Sequence, residues 1–196
     1  TVVFPREPLV KVVAPIMEAQ LVETALLTII NHQSLIATKT ARVVYAADGG
    51  GVMEFGLRRA QGPDAGVYGA RAAMIAGCIG TSNVLAGQLF DVPVKGTHAH
   101  SWIMSFPDEY TAFKTYARMY PNSCTLLVDT YDVLKSGVPN AIRVFEEMRE
   151  EGVKLTHYGI RIDSGDLAYL SKEAYKMLAA AGFDDATISA SSDLDE

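Results

Sequence analysis

The chain has 196 residues, 49% of them hydrophobic and 20% charged, with a formal net charge of −6. This is a globular composition with enough apolar residues for a sizeable core, and the length allows one large domain or two small ones. The basic residues form no cluster longer than Arg58-Arg59, which argues against nucleic acid and anionic membrane as partners and leaves small anionic substrates open.

Cys78 and Cys124 are the only cysteines, without metal-ligand spacing or a disulfide framework, so a reducing, cytoplasmic setting is expected. No signal peptide or membrane span is expected. The most apolar run, Leu21 to Ile36, is broken by Glu23, Asn31, His32 and Gln33. The chain opens on Thr1 and stops just after a strand-like run, and is expected to be a piece of a longer protein.

In chain order, Pro8 to Ala14 is short, apolar and β-branched and predicts a strand or edge segment. Pro15 then opens a helix in which Met17, Leu21, Ala25, Thr28 and His32 recur at spacings of three and four, running to about Thr38 or on to Ala46. Asp48-Gly49-Gly50-Gly51 breaks it. Val52 to Leu57 predicts a strand, followed by a loop, Gln61 to Gly66, and a helix over Val67 to Gly77. A short helix near Ser82 to Leu89 leads to a strand over Val92 to Thr97. The next helix, Asp108 to Tyr120, carries Tyr110, Phe113, Ala117 and Tyr120 on one face. Cys124 to Thr130 predicts a strand, then a helix with Pro139 near its start and Gly152 at its end. A strand over Tyr158 to Asp163, a helix from Asp166 to Ala181 and a strand over Ala186 to Ala190 complete the order.

Strands alternating with helices imply βα units and a parallel sheet, either doubly wound or part of a barrel. Each strand runs into polar residues: Arg58-Arg59, Thr97 to Ser101, Asp129-Thr130, Arg161 to Ser164 and Ser191 to Asp193. Convergence of so many strand ends favours the C-terminal mouth of a (β/α) barrel, because an open sheet usually serves its ligand from two or three strands.

Three stretches carry chemistry. In Gly96-Thr97-His98-Ala99-His100-Ser101, strand alternation would put His98 and His100 on one face, fit for acid/base work, metal binding or phosphoryl acceptance, or else for a hydrogen-bonded structural pair. In Ile160 to Asp166, Ile160 and Ile162 would face the helices while Arg161 and Asp163 face the interior, a costly pair unless mutually satisfied or bound to ligand. Ser164-Gly165 then opens a helix whose free amides attract phosphate. In Glu54 to Arg59, a ring at Phe55, a glycine and the Arg58 guanidinium could receive a planar anion. Gly80-Thr81-Ser82-Asn83 points to helix capping more than to ligand contact. The set describes a site for a phosphorylated, possibly planar substrate and names no reaction.

Five motifs in register, EFGLRRAQGPD from Glu54, TSNVLAG from Thr81, GTHAHSW from Gly96, DTYDVLKSGVPNA from Asp129 and GIRIDSGDL from Gly159, closely resemble the nicotinate phosphoribosyltransferase family over about Gln20 to Glu196. The resemblance implies a type II phosphoribosyltransferase: an irregular α/β barrel, here residues 46–196, with residues 1–45 part of a smaller α/β domain and connecting helix. It implies a head-to-tail homodimer with a shared active site. The implied reaction joins nicotinate to 5-phosphoribosyl 1-diphosphate with coupled ATP hydrolysis and Mg²⁺, forming nicotinate mononucleotide for NAD salvage. A nicotinamide-using sibling, or a non-catalytic nucleotide-binding homologue, is the alternative.

Carried over by residue, the resemblance makes His100 the phosphorylated, catalytic histidine and Asp163 a catalytic residue and a ribose or Mg²⁺ partner, with Asp129 a further candidate of the latter kind. Phe55 and Arg58 would surround the pyridine, and Arg58 is also assigned to catalysis. Thr97 and Arg161 would hold nicotinate or the phosphoribosyl group, and Ser101, Ser164 and Gly165 are further substrate-binding candidates. His98 is assigned structural or supporting work. The family pattern has asparagine where Ser192 stands, and its tyrosine-supplying N-terminal segment and 5′-phosphate loop have no counterpart among these residues.

Overall fold

The computed structural model describes residues 1–196. They divide into two compact units, residues 1–95 with Glu196, and residues 96–195. No helix is long and apolar enough to cross a membrane.

The first unit begins without a strand: residues 8–14 are irregular, with bends at residues 9 and 14, correcting the expected segment. β-branched composition favours a pleated surface only where a partner strand is present, and none pairs with this run. Helix α1, Ile16–Ala46, follows Pro15 and ends before Asp48 and Gly49, both with left-handed φ (45° and 89°). Its apolar stripe is not core: α1 buries no residue fully, and Met17 and Leu21 are about four-fifths exposed. Strand β1, Met53–Glu54, pairs in parallel with β2, Gly80–Thr81. A 3₁₀ turn, Leu57–Arg59, and helix α2, Pro63–Ile75, lie between them. Helix α3, Val84–Phe90, is capped by the Asn83 side chain, which accepts from Ala86 N at 3.0 Å. The strand expected over Val92 to Thr97 is reduced to one parallel bridge, Val94 beside Thr81.

In the second unit, α4, His100–Met104, and α5, Glu109–Met119, precede strand β3, Cys124–Leu127. A π-helical turn, Val133–Gly137, runs into α6, Val138–Glu150. Strand β4, Tyr158–Ile162, helix α7, Leu167–Ala180, and strand β5, Thr187–Ala190, follow. The starts of α5, the π-helical turn and α7 are fixed by aspartates, the first-turn amides being otherwise orphaned. Asp108 accepts from Thr111 N, Asp132 from Leu134 N and Lys135 N, and Asp166 from Tyr169 N. The strands form a parallel sheet in the order β3-β4-β5, with Leu127, Arg161 and Ser189 in register.

Alternation divides the work along β4. Ile160 and Ile162 are buried with Phe113, Phe145, Val144 and Leu178 in the helix-covered core, while Arg161 between them is only partly buried. Each fully buried side chain of this size contributes roughly 1.5–3 kcal/mol. The architecture is therefore mixed α/β with parallel sheets, as expected. A closed barrel is not observed: the hydrogen-bonded sheets have two and three strands, where closure takes about eight.

One contact fixes the polar end of β3. A Cβ on Gly137 would stand 1.9 Å from the carbonyl oxygen of Val128, the residue before Asp129. Backbone cannot swing aside as a side chain can. Gly137→Ala is expected to destabilise the protein by about 3 kcal/mol in urea unfolding, whereas Gly96→Ala, which meets nothing within 4 Å, is expected to stay near neutral.

Candidate active site

Because β3, β4 and β5 are parallel, their C-terminal ends share one edge, and each runs directly into polar residues: Asp129, Asp163 and Ser191. Two clusters form there.

The first centres on Asp129, whose side chain is only 2% exposed. Its Oδ1 lies 3.1 Å from His100 Nε2, and its Oδ2 accepts from Ser164 Oγ at 2.5 Å. A carboxylate only accepts, so the neutral form of the His100 ring would carry its proton on Nε2 and leave the lone pair on Nδ1. The His100 ring is 37% exposed, open enough to meet a ligand.

The second centres on Arg161, 15% exposed at its side chain. Its Nε donates to Ser191 Oγ at 2.7 Å, Nη1 to Thr97 Oγ1 at 2.8 Å and Nη2 to Asp163 Oδ1 at 2.9 Å. Ser191 Oγ also donates to Asp163 Oδ1. Burial pushes the Asp163 carboxyl up, but the bonds from Ser191 and Arg161 and the charges of Arg161 and His100 outweigh it, holding the group below the usual carboxylate range. The costly charged pair is satisfied by neighbours. Ser191 is the member that the sequence reading did not single out, and its position directly after β5 was the available signal.

The shared face expected for His98 and His100 is corrected. Residues 95–99 form no strand, so alternation does not apply, and His100 is the first residue of α4. His98 turns inward, 8% exposed, where its Nε2 accepts from Leu127 N at 3.2 Å and its ring lies 4.6 Å from Tyr116, edge on. It closes an edge amide of β3 and so ties the histidine loop to the sheet. Burial pushes its imidazole down to about 4, with the charges of Arg161 and His100 adding to the effect.

Of the remaining candidates in this unit, Ser101 follows His100 in α4, and Gly165 occupies a left-handed turn (φ 80°) ahead of α7. In the first unit, Phe55 is half-buried and Arg58 exposed, on the turn that leaves β1. Nowhere do three His, Cys, Asp or Glu side chains converge as a metal cage.

The His98 environment makes acid stability testable. Folded pKa lies below unfolded pKa, so the unfolded state binds the extra proton and stability falls as pH drops from about 6.5 towards about 4. A shift of that size corresponds to about 3 kcal/mol. Urea midpoints measured across this window should fall more steeply for the wild type than for His98→Gln, which keeps an acceptor for Leu127 N without titrating.

Comparison with known proteins accords with the motif reading. The family model described as "Nicotinate phosphoribosyltransferase (NAPRTase) family" matches residues 51–189. The nicotinate phosphoribosyltransferase of Bacillus subtilis is 57% identical over 194 residues, 99% of this chain and 39% of that protein. The Homo sapiens nicotinate phosphoribosyltransferase is 35% identical over 225 residues, 91% of this chain and 41% of that protein. A crystal structure of human nicotinic acid phosphoribosyltransferase superposes with a TM-score of 0.82 at 32% identity, covering 90% of this chain and 46% of that one. The chain thus spans about two fifths of the length of the curated relatives it matches. It belongs to the nicotinate phosphoribosyltransferase family.

Proposed function

We propose that the full-length protein carrying this chain transfers the phosphoribosyl group of 5-phosphoribosyl 1-diphosphate to nicotinate. The products are nicotinate mononucleotide and diphosphate, with ATP hydrolysis coupled through His100. The observation that carries this reading is the His100–Asp129 pair at the C-terminal edge of the parallel sheet, beside the Arg161–Asp163 network.

With Nε2–H held by Asp129, Nδ1 is the nucleophile. Its lone pair attacks the γ-phosphorus of ATP, the Nδ1–P bond forms, the bond to the β–γ bridging oxygen breaks and ADP departs. Asp129 offsets the positive charge that the ring acquires, as a buried acid does beside a catalytic histidine. Water later cleaves the Nδ1–P bond and releases phosphate. Ser101, one residue along α4, would contact the transferring group.

In the transfer step, cationic character grows on the anomeric carbon as diphosphate leaves, and the ionised Asp163 is the counter-charge placed to stabilise it. Thr97 and Arg161 would hold nicotinate or the phosphoribosyl group, and the Ser164 and Gly165 amides a phosphate. Phe55 would stack on the pyridine and Arg58 pair with its carboxylate. The acids fit Mg²⁺ only in its usual shared mode, one or two carboxylates completed by substrate phosphates, because no three protein ligands converge. Asp163 would hold the ion there, and the ion would offset charge on the departing diphosphate.

The finer architecture belongs to the same proposal: residues 46–196 as part of an irregular barrel, residues 1–45 as part of a smaller domain, and a cytoplasmic homodimer with a shared site. Incubation of the full-length protein with 5-phosphoribosyl 1-diphosphate, ATP, Mg²⁺ and either nicotinate or nicotinamide tests the reaction by chromatography. Product from nicotinate alone is expected, and none from either base would overturn it. His100→Ala should abolish ATP hydrolysis while leaving slow, ATP-independent transfer. Retained coupled ATP hydrolysis in that variant would remove His100 from the mechanism.

A further inference from the structure

Glu54 belongs to the first quoted motif and Thr81 opens the second, and the fold joins them. Thr81 is fully buried, and its hydroxyl donates to Glu54 Oε2 at 2.6 Å while accepting from Asn83 N at 3.0 Å. The other carboxylate oxygen, Oε1, accepts from Gly56 N, and the Glu54 carbonyl accepts from Ser82 N at 3.0 Å. Arg59 N in turn donates to the Gly56 carbonyl at 2.9 Å and closes the turn that carries Arg58.

Phe55 therefore sits between two residues whose polar groups are both tied down, and the Arg58 turn hangs from the second of them. Helix capping does not account for the bond to Glu54: Asn83 caps α3 with its own side chain, and the Thr81 hydroxyl, while accepting from Asn83 N, gives its proton to Glu54. Gly56 N can only donate, so Oε1 must accept, and Oε2 takes the Thr81 hydroxyl proton; a carboxamide nitrogen in the place of Oε2 would leave that buried hydroxyl proton without its acceptor.

We propose that Glu54 and Thr81 form a positioning brace that sets how Phe55 and Arg58 are presented to the pyridine base. The inference rests on the assignment of those two residues to nicotinate, and neither Glu54 nor Thr81 touches substrate in it. Removing the brace loosens base recognition and leaves the histidine chemistry alone.

The test uses the full-length protein and the variants Thr81→Val, Thr81→Ser and Glu54→Gln. KM for nicotinate is measured beside phosphoenzyme formation from ATP in the absence of nicotinate. Thr81→Val and Glu54→Gln should raise KM for nicotinate about tenfold, the scale of one lost hydrogen bond to a charged group. Phosphoenzyme formation should stay at the wild-type level, and Thr81→Ser, which keeps the hydroxyl, should restore the wild-type KM. An unmoved KM in Glu54→Gln overturns the brace, as does parallel loss of base binding and phosphoenzyme formation. A wild type that makes no nicotinate mononucleotide overturns the functional assignment, and the brace's role with it. An active wild type with unmoved variants overturns the brace alone.

Discussion

The carboxylate of Asp129 is the point on which the second unit's chemistry depends. It is almost wholly withdrawn from water, yet each of its oxygens has a donor, Ser164 on one side and His100 on the other. A buried carboxylate without such partners would be expensive; with them it becomes a fixed reference for the imidazole. Three separate elements meet there: the end of β3, the first turn of α4 and the turn ahead of α7. The tight approach of Gly137 to Val128 holds the strand end, and His98 holds the loop that delivers His100.

Beside it, the Arg161 network follows the same logic with the signs reversed. A guanidinium near the C-terminal end of a strand is satisfied by a threonine before α4, an aspartate two residues on and a serine from the neighbouring strand's end. Against its partial burial, the Ser191 hydrogen bond and then the Arg161 cation hold the Asp163 carboxyl below the usual range. Fixed charges of both signs, held in place before substrate arrives, are what a reaction with a developing carbocation and a departing anion requires.

Much of this was legible in the sequence because it follows short-range rules. Aspartates and an asparagine at helix starts, glycines after helix ends and the alternation of Ile160, Arg161 and Ile162 predicted elements that the fold contains, and the polar ends of β3, β4 and β5 lie on one edge of the sheet. The failures came where tertiary pairing overrides local preference. Residues 8–14 look like a strand and pair with nothing, and the run containing His98 and His100 leaves the extended state before alternation can act. The Ser191–Arg161 and Glu54–Thr81 bonds were not legible for a different reason, since each joins side chains far apart in sequence. The motif resemblance supplied the family; spacing alone supplied a polar, phosphate-friendly site and no reaction.

The central claim is that Asp129, by accepting the hydrogen bond from Nε2–H, designates Nδ1 of His100 as the phosphoryl acceptor. Phosphorus NMR of the phosphoenzyme formed from ATP by the full-length protein, read against the two synthetic phosphohistidine isomers, measures this directly. The account predicts the Nδ1-phosphohistidine signal. The Nε2 isomer would contradict the role given to Asp129, and no phosphohistidine at all would contradict the coupling through His100.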